Sequence, residues 1–155
     1  ADLFGANLFR ANLSGANLLG STLACAILDG ANLSDTILTA ANLSGAGLSG
    51  AYLRGAKLDP APTIQDIHQK IYEACKVPGG FDMKVWHSEC GTTHCRAGWA
   101  VTLAGKEGKE LEEEVGTGVS AALIYYTSDP TLEKVPNWMA SNKDALKDME
   151  RLAKQ

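Results

Sequence analysis

The chain has no run of eighteen apolar residues, so it holds no helix of the kind that crosses a bilayer. Its first residues also lack the basic and apolar blocks of a secretion signal. Cysteine is scarce: Cys25, Cys75, Cys90 and Cys95 are too few and too irregularly placed for a disulfide scaffold in 155 residues. A reducing cytoplasm with free thiols is the expected setting. There is no basic excess either. Fourteen Lys and Arg against eighteen Asp and Glu leave a net charge of −4, split as −1 over residues 1–60 and −3 over residues 61–155. That balance argues against nucleic acid and against an anionic membrane surface as partners. The first sixty residues also lack both helical and strand periodicity, and this absence leads to the fold.

Leucine instead recurs at every fifth position without a slip, at Leu3, Leu8, Leu13, Leu18, Leu23, Leu28, Leu33, Leu38, Leu43, Leu48, Leu53 and Leu58. Two residues before each stands alanine, replaced only by Ser21 and Thr36, so the segment is twelve tandem copies of A-[N/D]-L-x-x. A period of five matches neither the helical 3.6 nor the strand 2. The chain must therefore turn once per pentad. If each pentad makes a short extended side and a corner, leucine and alanine share one interior and the other three positions stay outside. Four pentads then close a coil. Glycine ends most pentads, as at Gly5, Gly15 and Gly20, and suits a corner because it takes positive φ without strain. Asn7, Asn12, Asn17, Asn32 and Asn42 fit beside it, since an amide side chain can satisfy local backbone groups.

This pattern resembles the pentapeptide repeat family over residues 1–60 without a gap. The resemblance implies a right-handed quadrilateral β-helix of three coils, a β-solenoid in which Leu3, Leu23 and Leu43 share one interior column and Leu8, Leu28 and Leu48 the next. Ile27, Ile37, Gly47, Tyr52 and Lys57 replace Asn or Asp at outward positions, which changes the exterior and not the fold. Some members of the family mimic DNA and protect topoisomerases. Duplex DNA presents one charge per about 1.7 Å, whereas three coils at about 4.8 Å spacing span only about 14 Å. Asp2, Asp29, Asp35 and Asp59 are nearly balanced by Arg10, Arg54 and Lys57. A DNA mimic is thus the weakest functional reading.

A solenoid needs about three repeats and protected ends. The second half of the chain is expected to cap the last coil. The first coil begins in mid-pattern at Ala1, without an initiator Met, and carries outward Phe4, Phe9 and Leu19. The simpler reading is a piece of a longer chain; the sharper one is a homodimer joined end to end through the first coil, since an unpaired edge with apolar neighbours invites pairing.

The repeat stops at Asp59-Pro60-Ala61-Pro62, and residues 61–155 read as a small all-α domain. Thr63 caps a helix with Asp66 three residues on, and Ile64, Ile67, Ile71, Ala74 and Cys75 supply its buried stripe as far as Lys76. A second helix is predicted from Thr92 or Thr93 to Ala104, ended by Gly105. Residues 109–126 read as one or two helices interrupted at Gly116-Thr117-Gly118, which lacks the preceding strand and the lysine of a phosphate loop. Lys109 to Glu114 is a charge run on an exposed helix face. A last helix covers residues 142–154 behind Ser141. Tyr125, Tyr126, Trp138 and Met139 form either core or a partner patch, with core the expectation.

The densest chemistry lies between Trp86 and Trp99, where Cys90-Gly91-Thr92-Thr93-His94-Cys95-Arg96-Ala97-Gly98-Trp99 resembles a domain of uncharacterised bacterial and phage proteins. That resemblance implies no activity. His87, Cys90, His94, Cys95 and Arg96 form the candidate functional cluster. Imidazole and thiolate are zinc ligands, yet H-x2-C-x3-H-C is an unorthodox spacing, and adjacent His94 and Cys95 on a helix point about 100° apart. Cys90, just before a predicted helix start and near Arg96, could be a nucleophilic thiol paired with histidine. A Cys90–Cys95 disulfide needs an oxidising setting. The favoured reading is packing: Thr92 caps the helix, Cys95 and Trp99 face inward, Gly98 allows a close crossing, and His94 and Arg96 lie on a solvated face or bond to loops. His68 is a surface or boundary residue. The expected function is accordingly a non-enzymatic structural or protein-interaction module without cofactor, the rival being a small cysteine- or zinc-dependent site.

Overall fold

The computed structural model describes residues 1–85 and 94–155. Parallel bridges join residues twenty apart: Asp2 to Thr22 and Thr22 to Asn42, Asn7 to Ile27 and Ile27 to Gly47, Asn12 to Asn32 and Asn32 to Tyr52, Asn17 to Ile37 and Ile37 to Lys57. A coil is therefore four pentads, and the leucines stack in four columns. The fifth residue of each pentad adopts positive φ whether or not it is glycine, from Gly5 at 61° to Arg10, Cys25, Asp35 and Ala40 at 54–58°. The asparagines stabilise these corners: Oδ1 of Asn7 accepts from the N–H of Phe9 at 3.1 Å, and Asn12, Asn17, Asn32 and Asn42 repeat the bond to the residue two ahead. Pro60 falls where the next positive-φ corner would be, and its ring holds φ near −65°, so the repeat ends there.

Ser21 and Thr36 are tolerated in the alanine column because their buried hydroxyls donate to the carbonyls of Leu18 and Leu33, at 2.7 and 2.5 Å. Leu18 through Leu53 are buried, whereas Leu3, Leu8, Leu13 and Leu58 are half-buried. The interior of twelve leucines expected from the period is thus not uniformly buried: three of the four leucines of the first coil are half-buried, whereas Leu43, Leu48 and Leu53 of the last coil are buried.

The far end of the stack continues into the helical residues through backbone bonds. Inside the stack, corner N–H groups donate one coil ahead, Gly5 to Ala24 and Cys25 to Ser44. In the last coil Gly45 donates to the Val115 carbonyl at 3.0 Å and Gly50 to the Pro136 carbonyl at 3.4 Å. The Ala51 carbonyl accepts from Val135 at 2.7 Å, just as Ala31 accepts from Tyr52 one coil earlier. Three groups of the helical part therefore occupy ladder positions that another coil would fill.

Five helices follow: α1 (Ile67–Lys76), α2 (Arg96–Leu103), α3 (Gly105–Val115), α4 (Thr117–Ser128) and α5 (Asn142–Ala153). α1 packs on α2 and α5, and α4 on α2 and α3. Their shared core holds Ile67, Ile71, Cys75, Ala97, Val101, Ile124, Tyr125, Ala145 and Met149. Gly108 permits the close fit of α3 on α2, since a Cβ there would lie 2.5 Å from the Val101 carbonyl oxygen.

Three helix starts differ from the sequence reading, and one of them is α3, which begins at Gly105 and not at residue 109. α1 begins at Ile67 and not behind Thr63, because Asp66 sits at φ 55° and breaks the turn; the freed Ile64 N–H donates to Ser128 Oγ. α2 begins at Arg96, and its cap is Cys95, whose Sγ accepts from the Gly98 N–H at 3.3 Å. Thr92 and Thr93 lie outside the described residues. The break at Gly116 and the Ser141 cap of α5 stand as expected, with Ser141 Oγ accepting from Asp144 N–H at 3.2 Å.

Candidate binding cleft

Arg96 is the least expected residue of the helical half. It was assigned to a solvated face or to loop bonds, yet only 2% of it is exposed. As the first residue of α2 it points across the core. Its Nε donates to Tyr125 Oη at 2.9 Å, and its Nη1 to Asp148 Oδ2 at 2.5 Å. Asp148 also binds Arg151, one turn on in α5, at 2.8 Å. Burial works against the Arg96 charge, but Tyr125 and Asp148 outweigh it and its pKa is raised. Burial likewise opposes the Asp148 charge, and bonds from Arg96 and Arg151 prevail, so its pKa is lowered. The triad of two guanidiniums and one carboxylate keeps one positive charge. Arg96 Nη2 is buried without a hydrogen-bond partner among the described residues.

Tyr125 lies at the centre of this region. Burial pushes its hydroxyl up to about 12, with Arg96 pulling the other way, so it is a neutral phenol at pH 7. Arg96 stacks over its ring at 5.3 Å, and His68 and Trp138 flank it with ring centroids 5.8 and 5.9 Å away. His68, read as a surface or boundary residue, is half-buried at the boundary and joined through Nε2 to Asp129 at 2.8 Å. His94 is also buried against Trp99, ring centroids 4.6 Å apart, which corrects its placement on a solvated face.

Two of the described thiols, Cys75 and Cys95, are buried, and Cys25 is exposed. Cys95 is buried and engaged as the α2 cap, and burial raises its pKa despite the N–H of Gly98. Cys75 packs against the Met149 sulfur, and burial pushes it up to about 12. Neither is a thiolate at neutral pH. His87 and Cys90 lie outside the described residues, and among the described residues no group of three His, Cys, Asp or Glu side chains could hold a metal ion.

Arg96 also lines a cleft of about 1250 Å³ between the solenoid and the segment from Asp129 to Gln155. Phe9, Arg10, Ile27, Asp29, Ser49 and Tyr52 form the solenoid wall; Lys134, Asn137, Met139, Asp144, Asp148 and Arg151 are on the other side. Ser49 Oγ pins the two together, donating to Asn137 Oδ1 at 3.1 Å and accepting from Trp138 N–H at 3.0 Å. Of the proposed aromatic patch, Tyr125 and Trp138 are core, while Met139 is 85% exposed in this cleft. Among the described residues of the sequence-derived cluster, His94, Cys95 and Arg96, only Arg96 lines the cleft. The sequence reading did not single out Asp148 or Arg151. Their spacing of three on a helix reads as an ordinary surface pair.

The family described as pentapeptide repeats matches residues 1–39 and 29–59, so residues 1–59 are a pentapeptide repeat segment, and the helical remainder is unassigned. Among solved structures, HetL, a pentapeptide repeat protein involved in heterocyst differentiation regulation from the cyanobacterium Nostoc sp. strain PCC 7120, is 41% identical over 37% of this chain and 28% of its own, with a TM-score of 0.37. Rfr23, a pentapeptide repeat protein from the cyanobacterium Cyanothece 51142, is 43% identical over 37% of this chain and 36% of its own, with a TM-score of 0.30. This chain thus spans only 28% and 36% of the length of those two proteins. No curated protein matches the chain.

Proposed function

We propose that the chain is a non-enzymatic protein-interaction module whose binding surface is the cleft between the solenoid wall and α5. One observation carries this reading: three large apolar side chains, Phe9 at 54%, Ile27 at 44% and Met139 at 85% exposure, converge on one cleft. Clustered exposed apolar groups rimmed by charge are the surface a protein partner covers. Ile27 and Tyr52, two of the outward departures from Asn or Asp, both stand in it. The mixed signs of its charged rim fit a protein better than a nucleic acid. On this reading the prism is a right-handed β-helix of three coils, and residues 61–155 cap it and supply the second wall. The zinc or thiol alternative has less support, because the Cys95 sulfur is spent on a helix cap.

The test places a photo-crosslinking amino acid at position 27, at position 139, or at exposed position 54 outside the cleft. A discrete adduct in host extract from the first two and not the third supports the module. Equal labelling from all three overturns it.

A further inference from the structure

We infer that the cleft takes the C-terminal segment of a protein partner, with Arg96 and Arg151 receiving its terminal carboxylate. This rests on the binding role proposed for the cleft and names what fills it. Arg96 offers two of its three nitrogens to Tyr125 and Asp148, and the third, Nη2, is buried without a partner among the described residues. A buried charged donor without an acceptor is costly, and such atoms in folded proteins call for an explanation. The planar guanidinium fork matches a carboxylate, and backbone carboxylate capture is a recurring mode of peptide recognition.

Charge decides between ligands. Arg96, Asp148 and Arg151 together carry one positive charge, which one carboxylate neutralises. Elsewhere the cleft carries Arg10 and Lys134 against Asp29, Asp129, Glu133 and Asp144. An acid-rich lining repels a polyanion and accepts a chain that is neutral or basic apart from one end. The volume, about 1250 Å³, exceeds the roughly 300–1,000 Å³ of pockets for small molecules and suits a few extended residues. Apolar partner side chains then lie on Phe9, Ile27 and Met139. Nη2 lies beneath the cleft surface, so the carboxylate reaches it by displacing side chains at the rim.

The experiment screens the full chain against random heptapeptides that lack Asp and Glu and end in a free carboxylate, and in parallel against amidated heptapeptides that include both acids. Binders are remade as acid and amide pairs and titrated by calorimetry against the native protein, Ile27→Asp and Arg151→Gln. The expected result is micromolar binding of free acids, at least tenfold weaker for the matched amides, several-fold weaker with Arg151→Gln, and lost in Ile27→Asp. Equal affinity of acid and amide, with loss in Ile27→Asp, overturns the carboxylate inference and leaves the cleft as a binding surface. Binding that is indifferent to Ile27→Asp overturns the cleft reading itself. Binders only among the amidated, acid-containing peptides, or none in either set, overturn the inference. Arg96→Lys, which keeps the charge and loses the fork, is expected to weaken the acid and leave the amide unchanged.

Discussion

Truncating Leu8, Leu28 and Leu48 to alanine in turn probes one interior column in the first coil, the middle coil and the last coil. Leu28 is fully buried between the other two, and its removal leaves a cavity that the neighbouring coils cannot close without breaking ladder bonds. Buried Leu→Ala changes of this kind cost about 2.7–5.0 kcal/mol. Leu48 is 2% exposed although it belongs to the last coil, because the helical part covers that end. Leu48→Ala should therefore cost about as much as Leu28→Ala, again about 3–5 kcal/mol. Leu8 is only half-buried, and part of its transfer free energy is already lost to solvent. Leu8→Ala should cost about 1–2 kcal/mol.

Urea unfolding followed by circular dichroism measures all three, provided the slopes agree so that midpoints translate into stability. A Leu48 cost as small as that of Leu8 would refute the seal between helices and last coil. A Leu8 cost matching Leu28, and growing with protein concentration, would show that the first coil is covered in solution by a second copy. The end-to-end homodimer, the sharper of the two readings of the first coil, predicts that second result; an isolated chain predicts the graded series.

Arg96→Met should lower stability by about 3 kcal/mol at pH 7, because it strands the Tyr125 hydroxyl and half of the Asp148 pairing; equal urea midpoints would count against the buried triad. The Asp148 carboxyl, held below its usual range in the fold, stabilises above the unfolded carboxylate pKa of about 3.9 and loses that contribution as pH falls through its lower folded value. Asp148→Asn should accordingly flatten the acid limb of a stability profile below about pH 4, and an unchanged limb would argue that the pair contributes nothing. Exposed Cys25 should react with a disulfide reagent at pH 8 far faster than Cys75, whose thiol sits near 12; comparable rates in the folded protein would contradict the burial. Gly108→Ala should cost about 1–3 kcal/mol by forcing α3 off α2, whereas a similar change at an exposed helix position is nearly neutral.

The solenoid was readable from sequence because the pentads repeat one local solution: leucine and a small residue in, a left-handed corner, and in five of them an asparagine that closes it. Even the non-glycine corners obey, since twelve copies impose a backbone that Arg10 and Ala40 alone would not choose. The helices were readable where caps are local, as at Ser141, and misread where tertiary bonds decide the start, as at Asp66 and Cys95. Arg96 was misread for a related reason. Its partners Tyr125 and Asp148 are 29 and 52 residues away, and no periodicity links them. The general expectation that arginine stays exposed gave the wrong environment for a side chain whose charge is offset by a distant carboxylate.

The cleft follows from the way the stack ends. A solenoid coil needs something to receive its outer N–H and C=O groups, and Val115, Val135 and Pro136 provide it at the corners of Gly45 and Gly50 and at Ala51. Once Val135 and Pro136 are fixed there, the segment that follows must leave along the wall of Ile27, Asp29 and Ser49, and Ser49 binds it at Asn137 and Trp138. α5 follows, and its Asp148 and Arg151 line the same groove as that wall. The bonds that end the ladder therefore also set the width of the cleft. Ser49→Ala, which removes two side-chain bonds and leaves the leucine columns intact, should loosen the cleft while costing only about 1–2 kcal/mol of stability. Hydrogen exchange at residues 137–140 should rise in that variant while exchange at Leu28 and Leu33 stays slow; a uniform rise would mean that Ser49 supports the whole stack and not the cleft alone.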